Sequence, residues 1–353
     1  LDFDIRWLWP SAQAEGALCS CPVTAEALTG ALHALAQQGI SPFGVYVTSP
    51  DYLGGVQDIP ALAAVCRAQG VPLLVDNAHG AYLRFLPQNC HPIAQGAAMC
   101  CDSAHKTLPV VTGGAYLHLA HDAPVQDEAA VRGALALFGS TSPSYLILQS
   151  LDVCNAVLAG DYPRRLAQCC TALESLRRSL NKAAAARQCP VPLAVAGAQQ
   201  EPMKLTLDAA ALGCTGTALA DALRRAQLEC EYADPRYVVL MFTPENPPQD
   251  FERLQTALEQ LLAAVPAGLP RPENRAGEFA ALQQQAVQRC TIRQAVLGAQ
   301  VRIPVHKALG RVCAMPTVSC PPAIPVAVSG EEITPAAIAL MQRYGIEELS
   351  VLR

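Results

Sequence analysis

The sequence predicts an α/β fold: a large unit built on a mostly parallel sheet, followed by a smaller α/β unit. Three observations carry this reading. Strand-length apolar runs recur between Gly44 and Leu119. Helix-length segments with recognisable caps lie between and after them. The polar clusters able to do chemistry come directly after the runs, where the carboxyl ends of parallel strands would present them. With 353 residues the chain is too long for one comfortable core. Two domains are expected, a large one over residues 1–188 and a small one over residues 189–353.

Gly44-Val45-Tyr46-Val47-Thr48 reads as the first strand. Asp58 is an N-cap with Pro60 in the first helical turn, and Gly70 closes that helix. Val71-Pro72-Leu73-Leu74-Val75 is the next strand, which completes a β-α-β unit over residues 44–76. Ala97 to Cys101 reads as a third strand and Gly114 to Leu119 as a fourth. Their unbroken apolar character predicts burial on both faces of the sheet. A helical region spans residues 143–186, broken near Gly160 and Pro163. Ser142 before Pro143 fits an N-cap and first-turn pair. Pro190-Val191-Pro192-Leu193 marks a boundary. Beyond it Met203 to Leu207 is a strand, Thr217 to Ala226 a helix, Tyr237 to Phe242 a strand, and Asp250 to Val265 an amphipathic helix. The segment Pro266 to Pro272 leads into a C-terminal piece holding Cys320-Pro321-Pro322-Ala323-Ile324-Pro325 and Ser329-Gly330-Glu331-Glu332. No internal repeat or low-complexity tract is evident.

Composition narrows the function classes. Apolar residues make up 51% of the chain and charged residues 16%, enough for a large core. No apolar run is long enough to span a bilayer, and Leu1-Asp2-Phe3-Asp4 lacks the pattern of a signal peptide. The net charge of −5, without a basic block, argues against nucleic acid as a partner. Fifteen cysteines contain no Cys-x-x-Cys pair. They read as small buried hydrophobes in a reducing cytoplasm, and no metal site is predicted.

Three polar clusters could carry chemistry. In Asp102-Ser103-Ala104-His105-Lys106-Thr107, a lysine follows an apolar run, with a serine three residues before it and a histidine next to it. In Val75-Asp76-Asn77-Ala78-His79-Gly80, a carboxylate ends another run. A lysine and a carboxylate at neighbouring strand ends suit pyridoxal 5'-phosphate. The amine forms the Schiff base and the acid keeps the ring nitrogen protonated. Ser103 and His105 can donate to a phosphate. Ala78 is small enough to pack flat on a ring. His79 reads equally as a cofactor contact or as a satisfied buried histidine. Each cluster also has a plain structural reading, as a helix cap beside ordinary polar residues. The third cluster, Gly139-Ser140-Thr141-Ser142-Pro143-Ser144-Tyr145, is a helix start whose hydroxyls could hold an anion.

Together these clusters resemble the Orn/Lys/Arg decarboxylase family. The resemblance runs in order through Val47 to Tyr52, Leu74 to Ala81, Asp102 to Pro109, Ser140 to Tyr145, Cys320 to Pro325, and Gly330-Glu331. It implies the fold-type-I pyridoxal-phosphate architecture and decarboxylation of arginine, lysine or ornithine to the amine, a reaction of polyamine metabolism. By resemblance Lys106 is the Schiff-base lysine, Asp76 the partner of the pyridine nitrogen, and Ala78 the residue packed on the ring, while His79 stands beside them as a candidate catalytic and cofactor-binding residue from its position in the cluster. Ser103 and His105 are phosphate contacts. Thr141 and Ser142 reach a neighbouring subunit's phosphate, which implies a homodimer or higher homo-oligomer. Tyr52 and Glu331 are substrate-side candidates. Asp51 and Glu332 are further carboxylates able to meet a cationic side chain.

The sequence departs from the family pattern at Asn77, where glutamate is common, at Ala104, where threonine is common, and at Ala323, where glycine is usual. The family's N-terminal segment, its phosphate loop and its ring-stacking histidine are not found. The sequence is expected to be a fragment that binds cofactor weakly. Two further functions are compatible with the same residues: another fold-type-I reaction (aminotransferase, lyase or aldolase), and a non-catalytic truncated homologue.

Overall fold

The computed structural model describes residues 3–9, 17–20, 22–139, 142–266, 268–273, 276–314 and 325–353. Its first sheet has four strands: β1 (Val45–Thr48), β2 (Leu73–Asp76), β3 (Met99–Asp102) and β4 (Tyr116–Leu119), in that spatial order. β1, β2 and β3 run parallel and β4 returns antiparallel to β3. The predicted strands are thus present. The crossover between β1 and β2 is the helix Ile59–Ala68. The Asp58 carboxylate caps it by accepting from the Ala61 amide at 3.1 Å, Pro60 sits in the first turn, and Gly70 takes a left-handed φ of +66° just after it. Ile59, Leu62, Ala63 and Cys66 recur at helical spacing and are all buried. With Leu28 and Leu32 of the helix Ala25–Gln37 they cover Val45, Val47, Leu73 and Val75.

That covering is one-sided, which corrects the expectation of burial on both faces. Tyr46 is 61% exposed, and Thr48 and Cys101 on the same face are also open. Successive side chains of a strand alternate between faces. The described residues supply helices for the inward set and leave the outward set bare.

The chain then forms two successive helices, Tyr145–Ala159 and Tyr162–Ala186, with the break at Gly160-Asp161. The N-cap of the first is Ser144, which accepts from the Ile147 amide at 3.5 Å, rather than Ser142 as expected. Pro143 therefore precedes the cap, where its missing N–H leaves nothing unsatisfied. The longer helix buries Leu166, Leu173, Leu176 and Leu180 along one stripe. This stripe packs in a common core with the helix Pro248–Ala263 and with a second sheet of β5 (Lys204–Asp208), β6 (Tyr232–Ala233) and β7 (Tyr237–Met241). The second sheet is antiparallel in the order β5-β7-β6, and every residue of β5 is buried. The core runs from Ala81 to Leu262, so Tyr82 and Leu83, just past the Asp76 loop, are anchored in it.

A last pair of antiparallel strands, β8 (Gln300–Pro304) and β9 (Glu348–Leu352), packs with the helix Pro335–Arg343 around Cys313, Ile333, Met341 and Val351. Among the described residues no helix is long and apolar enough to cross a membrane.

Candidate active site

The site forms where β1, β2 and β3 end. Register sets Thr48 beside Asp76, Asp76 beside Cys101 and Cys101 beside Leu117 across the open face. Asp76 is half-buried there. Its Oδ1 accepts from the Ala78 amide at 3.0 Å and its Oδ2 from the Tyr46 hydroxyl at 3.2 Å. The carboxylate can only accept, so the Tyr46 hydroxyl is the donor in this contact.

Lys106 sits on the four-residue helical turn Ala104–Thr107 directly after β3. The turn is pinned from beneath by buried Ala104, Thr107 and Leu108, and the Tyr162 hydroxyl donates to the Thr107 carbonyl at 3.4 Å. The Lys106 side chain emerges half-buried, with Nζ 3.4 Å from His79 Nε2. His79 is buried, and its Nδ1 finds no partner among the described residues. Burial first, then the charges of Lys204 and Lys106, push its pKa down to about 2. The imidazole is therefore neutral beside the amine.

Behind His79 lies a stack that the sequence reading missed. The Tyr52 ring meets His79 edge-on at 4.9 Å between centroids, and Lys204 Nζ lies 5.3 Å from the Tyr52 ring centroid. Lys204 is 3% exposed and donates to the carbonyls of Asp51 at 2.8 Å and Tyr52 at 3.1 Å. Glu201, also buried, accepts from the Tyr82 hydroxyl and from the Met203 amide at 2.8 Å. Burial lowers the Lys204 amine and pushes the Glu201 carboxyl up to about 7.

A second charged cluster lies on the covered face of the same sheet. His91, Cys100 and Asp102, all buried, bring ligand-capable atoms within 4.8 Å of one another. His118, opposite Cys100 in the β3–β4 ladder, also reaches Asp102, at 3.0 Å. Sequence spacing alone could not assemble this group, because His91 and His118 lie on either side of β3 in the chain.

The predicted residues do not all share one location. Lys106, His79, Asp76, Ala78 and Tyr52 converge on the strand ends. Ser103 stands just before the Lys106 turn, where it makes no capping hydrogen bond, and His105 lies within the turn next to Lys106. Ser142 is exposed ahead of the helix Tyr145–Ala159, while Thr141 lies outside the described residues, as does the segment Cys320 to Ile324. Glu331 belongs to the C-terminal unit, where burial raises its carboxyl and the Val328 amide donates to it at 2.8 Å. Glu332 pairs with Arg289. Asp51 turns inward to accept from the Gly55 amide at 2.8 Å, and a Cβ at Gly55 would lie 2.6 Å from that carboxylate.

Chemically the strand-end group offers one primary amine, one carboxylate with fixed orientation, a neutral imidazole with an unused nitrogen, and open space on the sheet face. This donor set fits pyridoxal phosphate. Lys106 would take the aldehyde, Asp76 the ring nitrogen, and Ala78 and His79 the ring.

The family model of "Orn/Lys/Arg decarboxylase, major domain" matches residues 7–205, more than half of the chain. The chain is 29% identical over 310 residues to the uncharacterized protein YaaO of Bacillus subtilis, covering 85% of this chain and 61% of that protein. It is 28% identical over 299 residues to the arginine decarboxylase of the same organism, covering 82% of this chain and 59% of that protein. The chain thus spans about three-fifths of the length of these relatives. The constitutive lysine decarboxylase of E. coli superposes with a TM-score of 0.70 at 18% identity, over 99% of this chain and 64% of that one. A pyridoxamine-pyruvate aminotransferase from Mesorhizobium loti superposes with a TM-score of 0.53 at 17% identity, over 74% of this chain and 70% of that one. These likenesses show the fold, that of the fold-type-I pyridoxal-phosphate enzymes, with its mostly parallel sheet. The chain belongs to the Orn/Lys/Arg decarboxylase family.

Proposed function

We propose that this chain carries the pyridoxal-phosphate site of a decarboxylase that converts a basic amino acid, arginine, lysine or ornithine, into its amine and carbon dioxide. The observation that carries the reading is the approach of Lys106 Nζ to 3.4 Å from neutral, buried His79, at the strand ends that also present Asp76. Bound pyridoxal phosphate supplies an electron sink for the electrons left when the substrate carboxylate departs. Lys106 would hold the cofactor through its side-chain amine. Asp76, oriented by Tyr46 and the Ala78 amide, keeps the ring nitrogen protonated. His79, held neutral, can face the ring without repelling a protonated nitrogen. Ser103 and His105 face the phosphate in this reading.

Thr141 and Ser142 serve a neighbouring copy's phosphate. Support for such sharing comes from the apolar surface around them: Leu137 and Phe138 before, Tyr145 and Leu146 after, each more than 70% exposed. The relatives' names support a basic substrate, and Tyr52 and Glu331 remain the substrate-side candidates. The test supplies arginine, lysine or ornithine to the protein with excess cofactor and follows carbon dioxide against keto acid. Carbon dioxide with a stoichiometric amine is expected. Keto acid without carbon dioxide would refute the proposal.

A further inference from the structure

The buried cluster on the covered face of the sheet centres on Asp102, the last residue of β3, whose side chain points away from the cofactor side. Four donors converge on its carboxylate. Asn77 Nδ2 donates to Oδ1 at 2.8 Å and the Cys100 thiol to the same oxygen at 3.4 Å. His91 Nε2 and His118 Nε2 reach Oδ2 at 3.1 and 3.0 Å. Burial alone would raise this carboxyl. The hydrogen bonds from His118, His91 and Asn77 outweigh burial and hold it well below the ordinary carboxylate range.

Histidine, cysteine and aspartate within reach of one another are also a zinc ligand set. Two features decide for hydrogen bonding. His91 Nδ1 accepts from the Ile93 amide at 3.4 Å, which leaves the ring proton on Nε2, the nitrogen facing Asp102. The 3.0 and 3.1 Å separations are hydrogen-bond lengths. Two ligands on one tetrahedral zinc would stand about 3.4 Å apart, given metal–nitrogen and metal–oxygen bonds of about 2.1 Å.

The consequence lies in what Asp102 joins. Asn77 is fully buried between Asp76 and Ala78, and its backbone amide donates to the Cys101 carbonyl at 2.9 Å. Its side chain fills the space that a Cβ at residue 80 would need, and the Gly80 amide donates to the Asn77 carbonyl at 2.8 Å. Asn77 therefore fixes the loop that carries Asp76, Ala78 and His79. On the other side, Asp102 continues directly into Ser103 and the Lys106 turn, whose Lys106 amide bonds back to the Ser103 carbonyl at 3.0 Å. One carboxylate thus fastens together the two segments that must touch opposite ends of a single pyridine. We propose that Asp102 is a positioning residue for the cofactor site, acting through Asn77, with His91, His118 and Cys100 as its supports. This rests on the pyridoxal-phosphate reading above.

The geometry permits an exchange of the pair. Asn77→Asp alone sets two carboxylates against each other, and Asp102→Asn alone removes the charge on which four donors converge. In the double variant an amide at 102 offers its nitrogen to the acid at 77 and its oxygen to the histidines, so those three contacts are restored in reverse and only the longer Cys100 thiol contact, at 3.4 Å, loses its acceptor. Cofactor dissociation constants are read from the visible absorbance that depends on Lys106, with Lys106→Ala as the blank, alongside the melting temperature of the cofactor-free protein. Losing a hydrogen bond to a charged group is worth about 10- to 100-fold in an equilibrium constant. Each single variant should therefore bind pyridoxal phosphate about 10- to 100-fold more weakly, and the double variant should recover to within about 3-fold. A merely structural pair would lower the melting temperature of each single variant without moving the dissociation constant of the folded protein. That result would overturn the proposal. Should either single variant fail to fold, His118→Phe removes one donor at the half-exposed rim of the cluster, and unchanged cofactor affinity there would also overturn it. One equivalent of zinc by elemental analysis, lost in Cys100→Ser, would replace the hydrogen-bond assignment with a metal site. Failure of the wild type to show any Lys106-dependent band would sink the cofactor reading itself, whereas a normal band with unchanged single variants sinks only the role of Asp102.

Discussion

Glu201 lets the electrostatics behind the site be tested by stability alone. The side chain is 2% exposed, and one oxygen accepts from Tyr82 and the Met203 amide while the other has no partner among the described residues. Burial pushes its carboxyl from an ordinary 4.5 up to about 7, against the opposing pull of Lys204. The folded state therefore holds this proton more tightly than the unfolded chain. Stability from the group is fully present below about pH 4.5 and is lost as the pH rises through about 7. At about 1.4 kcal/mol per pH unit, the loss amounts to roughly 3 kcal/mol between pH 4.5 and 8. Glu201→Gln keeps the acceptor oxygen for Tyr82 and Met203 and removes the titration. Urea unfolding of the two proteins at both pH values isolates the effect, because groups that do not interact with Glu201 cancel in the difference. The glutamine protein should gain on the wild type by about 3 kcal/mol over this interval. A difference that stays constant with pH to within about 1 kcal/mol would show that Glu201 is not buried as an isolated acid.

Two further changes probe the strand ends. Asp76→Asn keeps the hydrogen bond from the Ala78 amide but withdraws the charge beside the ring nitrogen. Cofactor should still bind, while carbon dioxide release falls by about 10²- to 10³-fold, and an unaltered rate would deny Asp76 its role. Gly80→Ala brings a methyl group onto the Asn77 amide oxygen with Leu83 close behind, so it should destabilise by about 1–3 kcal/mol in urea titration. A neutral effect would mean that the Asn77 side chain does not fill that space.

Much of the fold was legible because its signals are local. Asp58, Pro60 and Gly70 each act within one or two turns of chain, and they bound the helix Ile59–Ala68 as read. The strands were legible as apolar runs, and Lys106 and Asp76 as their polar ends. What did not show was anything that depends on which strand lies beside which. Tyr46 reaches Asp76 only because β1 and β2 pair in parallel with Tyr46 opposite Leu74. Lys204, far along the chain, reaches Tyr52 only because β5 packs beside the β1 loop. The bare face of the first sheet was hidden for a related reason: an apolar run looks the same whether one side is covered or both. The helix start was misplaced by two residues because Ser142 and Ser144 both flank Pro143, and local preference does not choose between them.

The same limit explains why Asp102 was not singled out while its neighbours were. In β3, Cys101 and Asp102 are adjacent in sequence and opposite in space, one on the open face beside Asp76 and the other between buried His91 and half-exposed His118. Alternation along a strand divides the labour. The outward residues can meet a cofactor, and the inward ones must satisfy each other without water. A buried carboxylate persists only where donors outnumber its lone-pair needs or a cation pairs with it. At Asp102 the donors come from four places in the chain, and three of them, Asn77, Cys100 and His91, are themselves buried. An arrangement with so many partners committed to one acceptor resists displacement in any direction. That stiffness is what a site needs when its acid and its amine lie on different strands.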